Sequence, residues 1–223
     1  MRGLYALKPW YTRRLGAIVR SAVAHRVSPD VFTLAGLVFA AGAGVAIALG
    51  WWPLALVLLA GRLAGANLDG AVARARGTSR PWGFVLNELG DRGSDLLMFA
   101  GLAVLAGRTE PIDAAWWAWG EPVTWVLVAA LAATLPTFAS LAVAGAGGTR
   151  LNGGPFGKTE RCAVVVLATG VPAAIPAVSA LVVLGSLATA GARLVRGRRE
   201  LATPVEPSAP LAPGADAGAE LAP

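Results

Sequence analysis

The chain has 223 residues, 56% of them hydrophobic and 14% charged, with a formal net charge of +6 and a mean hydropathy of +0.61. A soluble domain of this size cannot hide that much apolar surface in a core, so much of it must face lipid. The arginines sit in short clusters between long apolar runs, a membrane-topology pattern that speaks against a nucleic-acid partner. The single cysteine, Cys162, excludes an internal disulfide and a cysteine zinc site. The only histidine, His25, reads as an interfacial surface residue. The basic N-terminal stretch lacks the uninterrupted apolar run of a signal peptide, so no cleavable one is expected.

In chain order, Leu4, Leu7, Tyr11, Leu15, Ile18 and Ala22 recur at helical spacing with basic residues largely between them. Residues 1–26 therefore predict an amphipathic helix lying on the cytosolic leaflet. Six apolar stretches follow near 31–50, 52–75, 82–107, 122–146, 160–175 and 177–195, against the 17–25 helical residues or so that cross a bilayer. The last two are separated only by the Pro172–Pro176 turn. Gly and Ala dominate these runs, which suits close helix packing and permits a homodimer. Residues 200–223 are rich in Pro and Ala without apolar periodicity and read as a disordered tail. The expected fold class is an all-α integral membrane protein: six transmembrane helices over 27–199 plus the N-terminal surface helix.

Charge asymmetry fixes the expected orientation. Arg2, Lys8, Arg13, Arg14, Arg20 and Arg26 precede the first span, and Arg74, Arg76 and Arg80 follow the second. Arg150, Lys158 and Arg161 lie between the fourth and fifth, and Arg193, Arg196, Arg198 and Arg199 close the sixth. The opposite connections hold Arg108 beside Glu110, Asp113 and Glu121. By the positive-inside rule both termini are cytosolic, in the cell membrane. Trp51, Trp52, Trp116, Trp117 and Trp119 fall in the outer connections, where an aromatic belt is expected.

Asp69 and Asp91 stand where a membrane protein should not carry charge. Counted from Trp52, Asp69 lies about 26 Å along the second span, and counted back from Gly107, Asp91 lies about 24 Å along the third. Both carboxylates thus reach similar depth, just inside the cytosolic boundary. An acid in a span costs about 2.5–3.5 kcal/mol on insertion scales and normally marks function. Gly83, Asn87, Asp91 and Asp95 recur at four-residue steps along one face, and Ala66, Asp69, Gly70 and Ala73 share a face of the preceding span. The pattern predicts a polar notch between two antiparallel helices, floored by carboxylates and open to the cytosol.

These residues resemble the CDP-alcohol phosphotransferase signature, D-x2-D-G-x2-A-R-x8-G-x3-D-x3-D. Asp69, Gly70, Ala73, Arg74, Gly83 and Asp91 match in type and spacing, while Ala66 and Asn87 replace the first and third aspartates. Val27-Ser28-Pro29-Asp30-Val31-Phe32-Thr33 is similar to the family's Pro-Asn-x-x-Thr segment at the start of its first span. Gly157-Lys158 through Arg161 is similar to a basic patch that some members carry. Leu86-Asn87-Glu88-Leu89-Gly90-Asp91 also has counterparts in one branch.

The resemblance implies transfer of a phosphatidyl-type group from a CDP-activated lipid such as CDP-diacylglycerol to an alcohol, with release of CMP, helped by Mg²⁺ or Mn²⁺. It makes Asp91 the general base and a metal ligand, with Asp69 and Asn87 as further ligands. Gly70, Ala73 and Gly83 become the nucleotide wall, and Arg74 a phosphate contact. Arg150, Lys158 and Arg161 become contacts to a substrate phosphate, and Asp95 an auxiliary acid. With two signature acids missing, one firmly held ion is expected rather than two. A catalytically silent homologue that binds a CDP-lipid or a partner enzyme is one rival reading. A small transporter is the other, although no inverted repeat is visible.

Overall fold

The computed structural model describes residues 8–109 and 120–202, and among them every regular element is helical. Two short helices, α1 (Lys8–Arg14) and α2 (Gly16–Ala24), precede the long α3 (Pro29–Ala48), α4 (Trp52–Ala75) and α5 (Pro81–Ala106). Then come α6 (Pro122–Ala132), α7 (Leu135–Gly145), α8 (Lys158–Gly170), a single 3₁₀ turn (Pro172–Ala174) and α9 (Ile175–Ala202). Arg2, Leu4, Leu7, Glu110, Asp113, Trp116, Trp117, Trp119 and the tail from residue 203 lie outside the described residues.

Proline and glycine punctuate the chain. Pro29, Pro53, Pro81 and Pro122 each sit in a helical first turn, where a missing N–H costs nothing. At the start of α3, the Ser28 hydroxyl accepts the Asp30 N–H at 3.4 Å. Gly77, at φ +62°, ends the run of α4 by a left-handed residue. The fourth apolar stretch, expected as one helix, is broken at Ala133-Thr134. Pro136 offers no N–H to the preceding turn, and the Thr137 and Phe138 amides both turn to the Thr134 carbonyl, at 3.1 and 3.0 Å. The Ala133 carbonyl so released accepts Arg92 Nη1 of α5 at 3.4 Å.

Four stretches are long and apolar enough to cross a bilayer: Pro29–Ala48, Trp52–Ala75, Pro122–Gly145 and Pro172–Ala202. Their outward faces are bare of polar cover, with Val57, Leu131, Phe138 and Leu184 each about two-thirds exposed. The chain is a membrane protein. The other two expected spans fall short of that standard for different reasons. α5 is long enough but carries Glu88, Asp91, Arg92 and Asp95, and α8, at 13 residues, is only about 20 Å long. The last helix also runs beyond the limit read from sequence. Glu200 accepts the Thr149 amide at 2.6 Å and its hydroxyl at 3.0 Å, which holds the final turn of α9 to the α7–α8 connection.

α3 is the wedge of the bundle. A Cβ built on Gly65 of α4 would lie 2.8 Å from the Gly36 Cα, and one on Gly101 of α5 would lie 2.1 Å from the Gly44 carbonyl oxygen. Backbone therefore meets backbone on both flanks of α3, as small residues allow. The outcome matters at Thr33: its hydroxyl reaches Asp69 on α4, while its methyl faces Gly90 on α5.

The basic connections gather at one end. Arg80 pairs with Asp30, and Arg76 Nη1 donates to the Arg26 and Val27 carbonyls at 3.2 and 2.6 Å. At the other end, Arg108 Nη1 donates to the Ala48 carbonyl at 3.3 Å, beside the exposed Trp51 and Trp52.

Candidate functional site

The two aspartates face one cleft. Asp69 Oδ2 accepts the Thr33 hydroxyl at 3.0 Å, and its Oδ1 accepts the Gly70 amide at 2.5 Å. Asp91 Oδ1 is held by the Lys158 ammonium, which arrives from the first turn of α8. Between them lies a cleft of about 10 Å³, the space of one water-sized guest, lined by Thr33, Ala66, Asp69, Asn87, Asp91 and Ser94 among others. Ala66 and Asn87, the two departures from the signature, thus stand in its wall.

Next to the cleft a larger cavity of about 390 Å³ opens between α1, α4, α5 and the α7–α8 connection. Ala66, Asn87 and Asp91 line both spaces, so the cleft and the cavity share one wall. The cavity is basic: Arg92, Arg150, Lys158, Arg161 and Arg193 all contribute to its lining. Arg150 pairs with Glu88 and stacks over Phe84 at 5.1 Å. Glu160 accepts the Gly157 amide at 3.0 Å, fixing the α8 N-terminus that presents Lys158.

Asp95 is committed elsewhere. One turn deeper than Asp91, its Oδ1 accepts Arg62 Nη2 at 2.6 Å, and its Oδ2 meets Arg161 Nη2 at 2.9 Å and Arg92 Nη1 at 3.2 Å. Arg62 and Arg161 are almost wholly buried, so this carboxylate balances guanidinium charge that has no water to lean on. Arg62 Nη2 also donates to the Asp91 carbonyl at 3.3 Å. Of the other residues singled out from sequence, Gly70, Ala73, Arg74 and Gly83 line neither the cleft nor the cavity. The Arg74 guanidinium folds back over Gly70 on its own helix.

Sequence reading passed over Arg62, Ser94 and Arg92, counted Arg193 only as a topological charge, and left Thr33 without a role. An arginine ten residues into an apolar span was itself a signal, since such charges are costly in lipid. Arg193 carried a weaker signal, a place near a helix end. It donates Nε to the Gly153 carbonyl at 3.0 Å and Nη1 to the Pro136 carbonyl at 2.6 Å, tying the cavity's rim to α7.

A family model described as CDP-alcohol phosphatidyltransferase matches residues 26–195. The chain belongs to that family. As a CDP-alcohol phosphatidyltransferase it is an enzyme that transfers a phosphatidyl-type group from a CDP-activated lipid to an alcohol, in phospholipid synthesis. Among curated relatives, the phosphatidylinositol phosphate synthase of Mycolicibacterium smegmatis is 30% identical over 167 residues, 72% of this chain and 69% of that protein. The inner membrane protein YnbA of Escherichia coli K12 is 27% identical over 165 residues, 72% of this chain and 76% of YnbA. Among solved structures, Mycobacterium tuberculosis phosphatidylinositol phosphate synthase (PgsA1) with CDP-DAG bound aligns with TM-score 0.66 at 22% identity, covering 85% of this chain and 94% of that one. The same enzyme in complex with manganese and citrate aligns with TM-score 0.66 at 22% identity, covering 85% and 92%. At that identity these two structures bear on the fold of this CDP-alcohol phosphatidyltransferase alone.

Proposed function

We propose that this enzyme takes its phosphatidyl group from CDP-diacylglycerol at the cytosolic face of the membrane, with Asp91 as general base and Asp69, Asn87 and Asp91 around a divalent cation. The observation that carries the reading is the shared wall: Asp91 borders both a cleft of ion size and a basic cavity of ligand size. A volume of about 390 Å³ falls in the range of small-molecule sites, roughly 300–1,000 Å³.

The residues present fit one hard cation. Asp69, Asp91, the Asn87 amide and the hydroxyls of Thr33 and Ser94 supply only oxygen, the donor that Mg²⁺ and Mn²⁺ prefer. Among the described residues no three or more of His, Cys, Asp and Glu cluster as a metal site, so the set is two acids completed by neutral oxygens. When bound, such an ion neutralises phosphate charge and stabilises the leaving oxygen. The protein's own groups do the rest. Asp91 accepts the proton of the acceptor hydroxyl as it attacks phosphorus, and CMP departs. Lys158, Arg150 and Arg161 offer positive charge to substrate phosphates. Arg74, Gly70, Ala73 and Gly83 serve the nucleotide from the outer margin of the site.

In this reading α5 and α8 cross the bilayer with the four apolar stretches, giving six spans over 27–199. The charges of α5 turn inward, where each finds a partner on α4 or α8, at the α6–α7 break or in the connection before α8. Residues before 27 lie on the cytosolic leaflet, both termini face the cytosol and two copies form a homodimer. The paired acids sit at one end of the bundle, and among the described residues no broken-helix repeat surrounds them, which disfavours a transporter.

The test is CMP release from CDP-diacylglycerol by detergent-purified protein, with Mg²⁺ or Mn²⁺ and a panel of free and phosphorylated alcohols. Turnover with at least one acceptor is expected. Asp91→Asn should lower it by about 10²-fold or more while the protein stays folded, and Asp69→Ala should raise the metal concentration required. Binding of the CDP-lipid without turnover on any acceptor would instead mark a silent homologue.

A further inference from the structure

We infer that Lys158 is a built-in cation of the site, its ammonium taking toward the donor diphosphate the charge-neutralising part that a second divalent ion would otherwise play. The inference rests on the reading of the site given above and concerns how its charge is balanced. Four observations carry it.

The first is position. Lys158 lines the cavity and binds Asp91 Oδ1 across the wall that cleft and cavity share. It thus stands on the cavity side of the carboxylate, opposite the cleft formed with Asp69, Thr33 and Ser94.

The second is charge. Ala66 and Asn87 leave Asp69 and Asp91 as the acids of the cleft wall, and one of those is already paired with an ammonium. Asp95 cannot make up the deficit, because Arg62, Arg92 and Arg161 occupy it. A second dication would have to share Asp91 with Lys158 beside three guanidiniums, and the cavity's other acids are engaged too, Glu88 by Arg150 and Glu160 by the Gly157 amide.

The third is size. A cleft of about 10 Å³ accommodates one ion or water, and Ala66 and Asn87 close its cavity side without adding a charged ligand.

The fourth is the cost of the placement. A lysine at the first position of a helix faces the positive end of the helix dipole, where anions are favoured. Lys158 is also more than half withdrawn from solvent, with a side chain 25% exposed. A placement so unfavourable to ammonium persists because Asp91 is opposite it, and the same alignment of amides and ammonium suits a diphosphate approaching through the cavity.

The experiment uses the full-length protein in detergent with CDP and Mn²⁺ as probes. Electron paramagnetic resonance counts bound Mn²⁺, and calorimetry measures CDP affinity with Mn²⁺ and with EDTA. The wild-type chain is expected to bind one Mn²⁺ in the presence of CDP and to keep measurable CDP affinity in EDTA. Lys158→Met should lower the EDTA affinity by about tenfold or more, the equivalent of a charge-assisted hydrogen bond, while one Mn²⁺ still binds. Lys158→Arg should recover most of the loss. Two Mn²⁺ per wild-type chain would overturn the inference whatever the variants do, and so would equal EDTA affinities of wild type and Lys158→Met. These results leave Asp91 as base and CMP release intact, so they are separable from failure of the site itself. That failure would show as a wild-type chain that binds no CDP even at saturating Mn²⁺, and it would remove the inference as well.

Discussion

Arg62 and Asp95 show how a charged residue survives in the middle of a membrane bundle. The side chains are 2% and 6% exposed, and Arg62 pairs with a carboxylate that Arg92 and Arg161 also meet. Removing one partner of such a pair leaves an unbalanced charge in a low-dielectric interior, a loss of about 3–5 kcal/mol. Asp95→Asn is therefore expected to lower the unfolding midpoint sharply in a detergent thermal-denaturation assay. A midpoint within a degree or two of wild type would show that Arg62, Arg92 and Arg161 find other partners. The same residue scale explains what could be read in advance. Asp69, Asn87 and Asp91 were legible because their spacing and depth are properties of the sequence alone. The commitment of Asp95 to three arginines was not, because beyond its i,i+3 neighbour Arg92 it needs Arg62 and Arg161, which come from two other helices that only packing brings up. For Arg74 the motif gives a place but not a direction: that its guanidinium lies along its own helix over Gly70 depends on its side-chain conformation.

Helices here are placed by what their side chains lack. Gly36 against Gly65 and Gly44 against Gly101 let α3 touch both neighbours backbone to backbone, and Thr33 then spans from Asp69 to the α5 backbone at Gly90. Gly101→Ala must push against the Gly44 carbonyl, only 2.1 Å from the new methyl, and should cost about 1–3 kcal/mol. Gly191→Ala in α9 is the contrast. No atom lies within 4 Å of its added methyl, so helix propensity alone should raise stability by up to about 1 kcal/mol. Thermal unfolding of the two variants in the same detergent checks both, and equal midpoints would sink the wedge as described. At this scale most helices could be read from sequence to within a few residues, since Pro29, Pro53, Pro81 and Pro122 announce their starts. The break in the fourth stretch could not, although Pro136 was in view. Proline inside an apolar run either kinks or divides a helix, and the choice depended on Arg92 reaching the freed Ala133 carbonyl.

For the whole molecule, the burial of the lone thiol supplies a means of testing orientation. Cys162 is buried, so single cysteines added at the surface report sidedness without interference. Thr78→Cys, in the α4–α5 connection, should react with a membrane-impermeant maleimide only in inverted vesicles, and Glu121→Cys only in intact cells. The reverse pattern would turn the proposed topology over. In the proposed six-span arrangement, α5 offsets its charges with partners that no sequence window contains, Arg62, Arg150 and Lys158. α8 is the other exception, and its shortness has a consequence of its own. About 20 Å of helix cannot match a hydrocarbon layer of about 30 Å. In the proposed topology, α8 set across the bilayer from its outer end would leave Lys158 and the cavity mouth about 10 Å below the surrounding headgroups, under thinned lipid. A donor lipid would arrive there by sliding sideways within its own leaflet, its tails never leaving oil.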